Sequence, residues 1–335
     1  MSPFKRVLTT LGVAAGIAAG AAAAGYAGER ALLKSLRTRP DPDEGLLGLL
    51  EVDDTYRLPT HDEGVAYAVS RGDGPPIVLA HGVTISSRAW VKQFQELPAA
   101  GVRVIAFDHR GHGDSVVGTT GHSVDNLATD LRTILEALDL RGAVLVGHSM
   151  GGVAAQAFAL NHPDVLRERV AGLVLLSTLA KTSVSASRRL RCLAERVTGS
   201  VDVGRLASRP DLGTLVARVG FGRQPLPSHV ELNRQMLAGC DSTTGREATG
   251  VLLGLDLTAA LPSLDIPTLV IGGTADVITP PAESRRLAAL IPGAQLELLA
   301  GAGHMIMLER TATFHHLLLD FAGAVGALPA AAGAA

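Results

Sequence analysis

Beyond about residue 60 the chain alternates between two hydrophobic rhythms. Near-continuous apolar, β-branched runs stand at 65–70 (VAYAVS), 76–80 (PIVLA), 102–107 (VRVIAF), 143–147 (AVLVG), 170–177 (VAGLVLLS), 267–272 (PTLVIG) and 294–300 (AQLELLA). Runs with no polar alternation suit strands buried on both faces, as in a parallel sheet covered by helices on each side. Between them, HSVDNLATDLRTILEALDL (122–140) and FHHLLLDFAGAVGAL (314–328) carry apolar residues at spacings of three and four. That period lays an apolar stripe along a helix, so these are covering helices. The pattern predicts an α/β fold with a mostly parallel, doubly wound sheet.

The rhythm fails between 178 and 260, where Arg- and Leu-rich helical stretches carry turn signals such as SRPDLG and GRQPLP. We read this as a helical cap inserted after a strand, where open α/β sheets bind ligands. It divides the core into 59–177 and 261–325, with a flexible tail at 326–335. Upstream, residues 31–58 mix Pro, Asp and Gly and read as a linker. Residues 1–30 contain an uncharged run at 7–28, preceded by Lys5 and Arg6, that is long enough for one membrane-spanning helix. Gly12, Gly16 and Gly20 would share one face of it. The expectation is a membrane association through residues 7–28; the alternative is a secretory signal cleaved near Ala24 or Ala27.

Within this frame, one pentapeptide raises a chemical question. GHSMG (147–151) sits where a strand stops and a helix starts, which is the G-x-S-x-G nucleophile elbow. A sharp turn lifts Ser149 into a crevice and leaves no room for side chains two residues away, so Gly147 and Gly151 are required. A serine hydroxyl needs a base, itself oriented by a carboxylate. His304, in GAGHMIMLER, lies between the last strand and the last helix. Asp276, in GGTADVITPP, follows the penultimate strand, with Asp256 and Asp265 as weaker competitors. His81, His109, His112 and His148 read as packing or hydrogen-bonding groups near the site. His61, His162, His229, His315 and His316 read as solvated or partly buried residues. The order Ser149, Asp276, His304 is the one expected with the elbow. Two backbone N–H groups complete the set: Met150, after the serine, and Val83, after the tight turn at Gly82.

Five stretches in order, HGVT (81–84), DHRGHGDS (108–115), GHSMGG (147–152), GGTADVITPP (272–281) and GAGHMIMLER (301–310), resemble the α/β-hydrolase superfamily over about residues 60–325. The resemblance implies Ser149 as nucleophile, His304 as base, Asp276 as its partner, Val83 and Met150 as oxyanion donors, and 108–115 as a structural loop. Serine at the elbow argues against dehalogenase or epoxide hydrolase chemistry, which uses a carboxylate there. The expected activity is hydrolysis of a small-molecule carboxylic ester, with hydrophobic or lipid-derived esters among the expected substrates. Carbon–carbon bond hydrolases, acyltransferases and perhydrolases share the triad, and a non-catalytic ligand-binding module is the alternative of another class.

Composition narrows the field. With 30 basic and 32 acidic residues among 335, no net field draws the chain to nucleic acid. Cys192 and Cys240 have no metal-like spacing. Neither a metal nor a cofactor is expected. Trp90 and Phe94, four residues apart, are expected to pack a helix against the sheet rather than line the pocket.

Overall fold

The structure, a computed structural model, describes residues 26–182 and 202–328. Eight strands form one sheet: β1 Asp54–Pro59, β2 Val65–Arg71, β3 Pro76–Ala80, β4 Arg103–Phe107, β5 Ala143–His148, β6 Val170–Leu176, β7 Thr268–Gly273 and β8 Gln295–Leu299. Their order is β1-β2-β4-β3-β5-β6-β7-β8, antiparallel on both sides of β2 and parallel from β4 to β8. The fold is thus an α/β-hydrolase-type sheet, mostly parallel and wound on both faces.

Alternation within the buried strands feeds two cores. Val144 and Val146 of β5 face Trp90, Phe94 and Phe314, whereas Ala143 and Leu145 face Leu131, Ile134 and Phe158. The first layer comes from α2 (Val91–Glu96) and α12 (Thr311–Ala324), the second from α3 (Val124–Ala137) and α4 (Met150–Asn161). Trp90 and Phe94 are fully buried in the first, as packing predicts. Two shorter helices, α5 (Pro163–Arg169) and α10 (Pro281–Leu290), precede β6 and β8, and α11 (Ile306–Glu309) follows β8.

Each predicted strand is present within a residue or two. β1 was not expected. Its sequence, DTYRLP, is half exposed along one edge, so it carries no apolar run; it is held by the backbone ladder to β2, from Asp54 opposite Ser70 to Pro59 opposite Val65. Nor is the rest of 31–58 a plain linker. Helix α1 (Tyr26–Arg37) buries Leu33 and Leu36. Beyond it the chain lies on the cap: Arg39 donates to the Pro225 carbonyl, Asp41 accepts from Ser228, and Asp43 contacts both His229 (2.7 Å) and Lys92 (3.1 Å). Most of 7–28, up to residue 25, lies outside the described residues. Among the described residues, no helix is long and apolar enough to cross a membrane. From residue 329 the expected tail lies outside them too.

Between β6 and β7 the chain leaves the sheet to form α6 (Val203–Ala207), α7 (Pro210–Arg218), α8 (Pro227–Gly239) and α9 (Ser242–Leu253). The turn signals become helix starts. Pro210 and Pro227 occupy first-turn positions, where the missing N–H costs nothing, and Asp241 caps α9 through the Thr243 and Thr244 N–H groups.

The loop 108–115 is clamped from several sides. Asp108 accepts from the Ser87 and Asp114 N–H groups. Arg110, almost fully buried, forks onto Asp130 (2.8 Å twice) and reaches Asp62 at 3.0 Å. Removing the guanidinium would strand two buried carboxylates, and breaking such a pair costs about 3–5 kcal/mol. Arg110→Ala is therefore expected to lower unfolding free energy by that amount in urea titrations, far more than Arg132→Ala, whose Glu136 partner is solvent-exposed.

Candidate active site

Every parallel strand ends at one edge of the sheet, and the loops that follow carry the candidate residues. At the end of β5, Ser149 has φ 53° and ψ −116°, a conformation costing on the order of 1–3 kcal/mol for a non-glycine residue. Its surroundings hold it there. The Ser149 N–H donates to the Leu176 carbonyl (3.0 Å), and its carbonyl accepts from Thr178 Oγ1 (2.6 Å). A Cβ on Gly147 would stand 2.5 Å from the Gly151 carbonyl oxygen; one on Gly151 would stand 2.3 Å from that of Ala80. Gly152, which sequence reasoning passed over, is equally constrained, because a Cβ there would meet Thr178 at 2.6 Å. The second glycine of GHSMGG was its only signal.

Asp276 turns back on its own loop. Its Oδ1 accepts from the Ile278 (2.8 Å) and Thr279 (2.9 Å) N–H groups, and its Oδ2 from Thr279 Oγ1 (2.7 Å) and His304 Nδ1 (2.9 Å). The carboxylate is buried and fully satisfied, so it is fixed in place. With Nδ1 donating to Asp276, the neutral imidazole has its lone pair on Nε2. By contrast Asp256 and Asp265 are exposed, and Asp256 pairs with Lys181.

The backbone around His304 is tied on three sides. Its N–H donates to the Gly220 carbonyl at 2.9 Å, and its carbonyl accepts from Nε2 of His148 at 3.0 Å. Glu309 accepts from the Gly303 (2.9 Å) and Gly222 (2.7 Å) N–H groups, joining the His304 loop to the cap. Ser149, Met150, Val83 and His304 line one cavity beneath the cap, and Thr279 lines it beside them. Asp276 stands behind the imidazole.

Four further histidines crowd this edge, and burial keeps them uncharged. It pushes His81 down to about 4 and His112 down to about 3, and holds His109 and His148 well below the ordinary range. Neutral rings both donate and accept. His81 Nδ1 donates to the Gly82 carbonyl (2.6 Å) while its Nε2 accepts from the His109 N–H (3.0 Å). His112 Nδ1 donates to the Arg110 carbonyl, and its Nε2 accepts from the Thr84 N–H (3.1 Å). No described peptide bond is cis, and across a trans peptide the N–H points opposite the carbonyl. Tying the Gly82 carbonyl to His81 therefore turns the Val83 N–H away from that ring. Among the histidines expected to be solvated or partly buried, His229 and His315 are instead buried, against Asp43 and Gln93. Among the described residues, no cluster of His, Cys, Asp and Glu could hold a metal ion.

With this geometry, comparison with known proteins becomes informative. The profile of a family described as "alpha/beta hydrolase fold" matches residues 75–311. The chain belongs to this family. It is 31% identical over 261 residues to a putative non-heme chloroperoxidase of Synechocystis sp., covering 76% of this chain and 94% of that protein. It is 33% identical over 260 residues to a non-heme chloroperoxidase of Streptomyces lividans, covering 74% and 92%. Among solved structures, a thermophilic esterase from Thermogutta terrifontis superposes with a TM-score of 0.67 at 29% identity, covering 81% of this chain and 99% of that one. Members of the α/β hydrolase family thus include both haloperoxidases and esterases near this chain.

The buried imidazoles set a pH dependence of stability. In the unfolded chain each binds a proton near pH 6.5, whereas folded His81 and His112 bind one only near 4 and 3. The unfolded state thus holds more protons between those values, so stability is complete above about pH 6.5 and falls as pH drops, by about 1.4 kcal/mol per pH unit for each such ring. Urea unfolding from pH 7.5 to 4.5 is expected to show this acid-side decline, and stability that stays level would contradict it.

Proposed function

We propose that the protein is a serine hydrolase that cleaves carboxylic esters through an acyl-enzyme intermediate. The observation carrying the reading is the hydrogen bond from His304 Nδ1 to a fully satisfied Asp276, with His304 and Ser149 on the wall of one cavity. In the first half-reaction Ser149 Oγ bonds to the ester carbonyl carbon while its proton passes to His304 Nε2. The Val83 and Met150 N–H groups donate to the oxyanion, each worth about 3 kcal/mol at such sites. Collapse of the intermediate breaks the carbon–oxygen bond, and the imidazolium returns its proton to the departing alcohol. Water then attacks the acyl group, giving its proton to Nε2, and Ser149 is regenerated as the carboxylic acid leaves.

A second reading follows from the haloperoxidase relatives. The same acyl-enzyme attacked by hydrogen peroxide instead of water yields a peracid, without any change in the protein groups. The two readings share their first half and differ only in the second nucleophile.

Purified protein is expected to turn over p-nitrophenyl butyrate and to take a fluorophosphonate label on Ser149. Ser149→Ala should abolish the label and cut kcat/KM by at least about a thousandfold, as losses of triad nucleophiles do, without changing the melting temperature by more than a few degrees. Hydrolysis at an undiminished rate in that variant would remove Ser149 from the mechanism. Peracid formation in added hydrogen peroxide, read by monochlorodimedone bromination, measures the second reading separately.

A further inference from the structure

The cavity above Ser149 has an unusual balance of chemistry. Its walls are mostly aliphatic, including Val83, Ile85, Val153, Leu252 and Ile278, and among the described residues no Asp, Glu, Lys or Arg side chain lines it. A charged substrate group would be desolvated there without a partner. Its threonines, Thr84, Thr182, Thr249 and Thr279, each spend the hydroxyl proton on a protein acceptor: the Val83 carbonyl, the Leu253 carbonyl, the Gly245 carbonyl and Asp276.

Asn233 offers the cavity an acceptor that no described protein group fills. It projects from α8 into this wall and is only 5% exposed. Its Nδ2 donates to the Ala217 carbonyl of α7 at 3.0 Å. A carbonyl oxygen cannot donate, so this bond also decides which way the amide is turned, and Oδ1 must point elsewhere. No group among the described residues donates to that oxygen. An amide oxygen with no protein donor at the wall of an apolar chamber is a strong acceptor for anything that enters with one. Its position is also fixed relative to the chemistry. A Cβ on Gly220 would stand 3.4 Å from Asn233 Nδ2, and the Gly220 carbonyl accepts from the His304 and Met305 N–H groups.

We propose that Asn233 is a specificity-determining residue, whose Oδ1 accepts a hydrogen bond from a hydroxyl or amide N–H on an otherwise apolar, uncharged ester. This rests on the hydrolase reading. The preferred substrates are hydroxylated or amide-bearing esters, and plain aliphatic esters are processed less well because they leave the amide oxygen without a donor.

Two matched pairs locate the donor. p-Nitrophenyl 3-hydroxybutyrate against p-nitrophenyl butyrate places it in the acyl group; 4-hydroxybutyl butyrate against pentyl butyrate, followed by titration of released acid, places it in the alcohol. The full chain is expected to favour the hydroxylated member of one pair by about tenfold in kcat/KM, the worth of one net hydrogen bond. Asn233→Leu and Asn233→Ala, with active sites counted by fluorophosphonate label, should bring that ratio to about one. Equal rates within both pairs in the unaltered protein, or a preference that survives both substitutions, would overturn the assignment. So would failure of both variants to fold, which would make Asn233 a clamp between α7 and α8 only. If the esters turn over and Ser149 labels but the ratios are flat, only the Asn233 assignment falls; if nothing turns over or labels, the hydrolase reading falls first.

Discussion

Backbone must touch backbone at the end of β5, and the rest of the site depends on that contact. Ser149 stands at positive φ because α4 folds back immediately after it, and it can do so only where Gly147, Gly151 and Gly152 present no Cβ to the Gly151 carbonyl, the Ala80 carbonyl and Thr178. The energy stored there is recovered from buried strands on either side, β3 and β6, which are among the best-packed parts of the sheet. A rigid sheet is therefore what allows a single serine to be held out of its preferred conformation.

The second partner is secured differently. His304 belongs to a loop, and a loop residue keeps one orientation only if its backbone and ring are both bonded. Here Asp276 holds the ring, Gly220 and His148 hold the peptide groups, and Glu309 binds the loop to the cap. Because two of these contacts come from the segment after α7, the cap is part of the apparatus that orients the imidazole, not merely a cover.

Much of this was legible in the sequence. Buried strands advertise themselves as unbroken apolar runs, and the elbow, Asp276 and His304 each stand at the end of one, so chain order alone placed them on a common edge. What escaped has physical reasons. β1 is an edge strand stabilised by backbone bonds that carry no side-chain signature. Helix α1 is a short amphipathic stretch whose Leu33 and Leu36 have meaning only once the cap is there to cover them. The roles of Gly220, Asn233 and Glu309 depend on cap and core meeting across long sequence separations, which no local pattern records. Thr279, three residues beyond Asp276, was within reach of turn chemistry, since Asp followed by Thr at that spacing commonly closes a loop on itself.

The stitching of residues 37–43 onto the cap gives the amino-terminal arm a mechanical meaning. From Arg37, the last residue of α1, to Asp43 the chain meets Asp211, Pro225, Ser228 and His229 before it reaches the sheet at all. The arm is thus bonded to α7 and α8 and, through Lys92 and Gln95, to α2 before it enters the sheet. The same segment that braces the roof of the chamber also braces its floor, because Leu36 belongs to the core beneath the sheet.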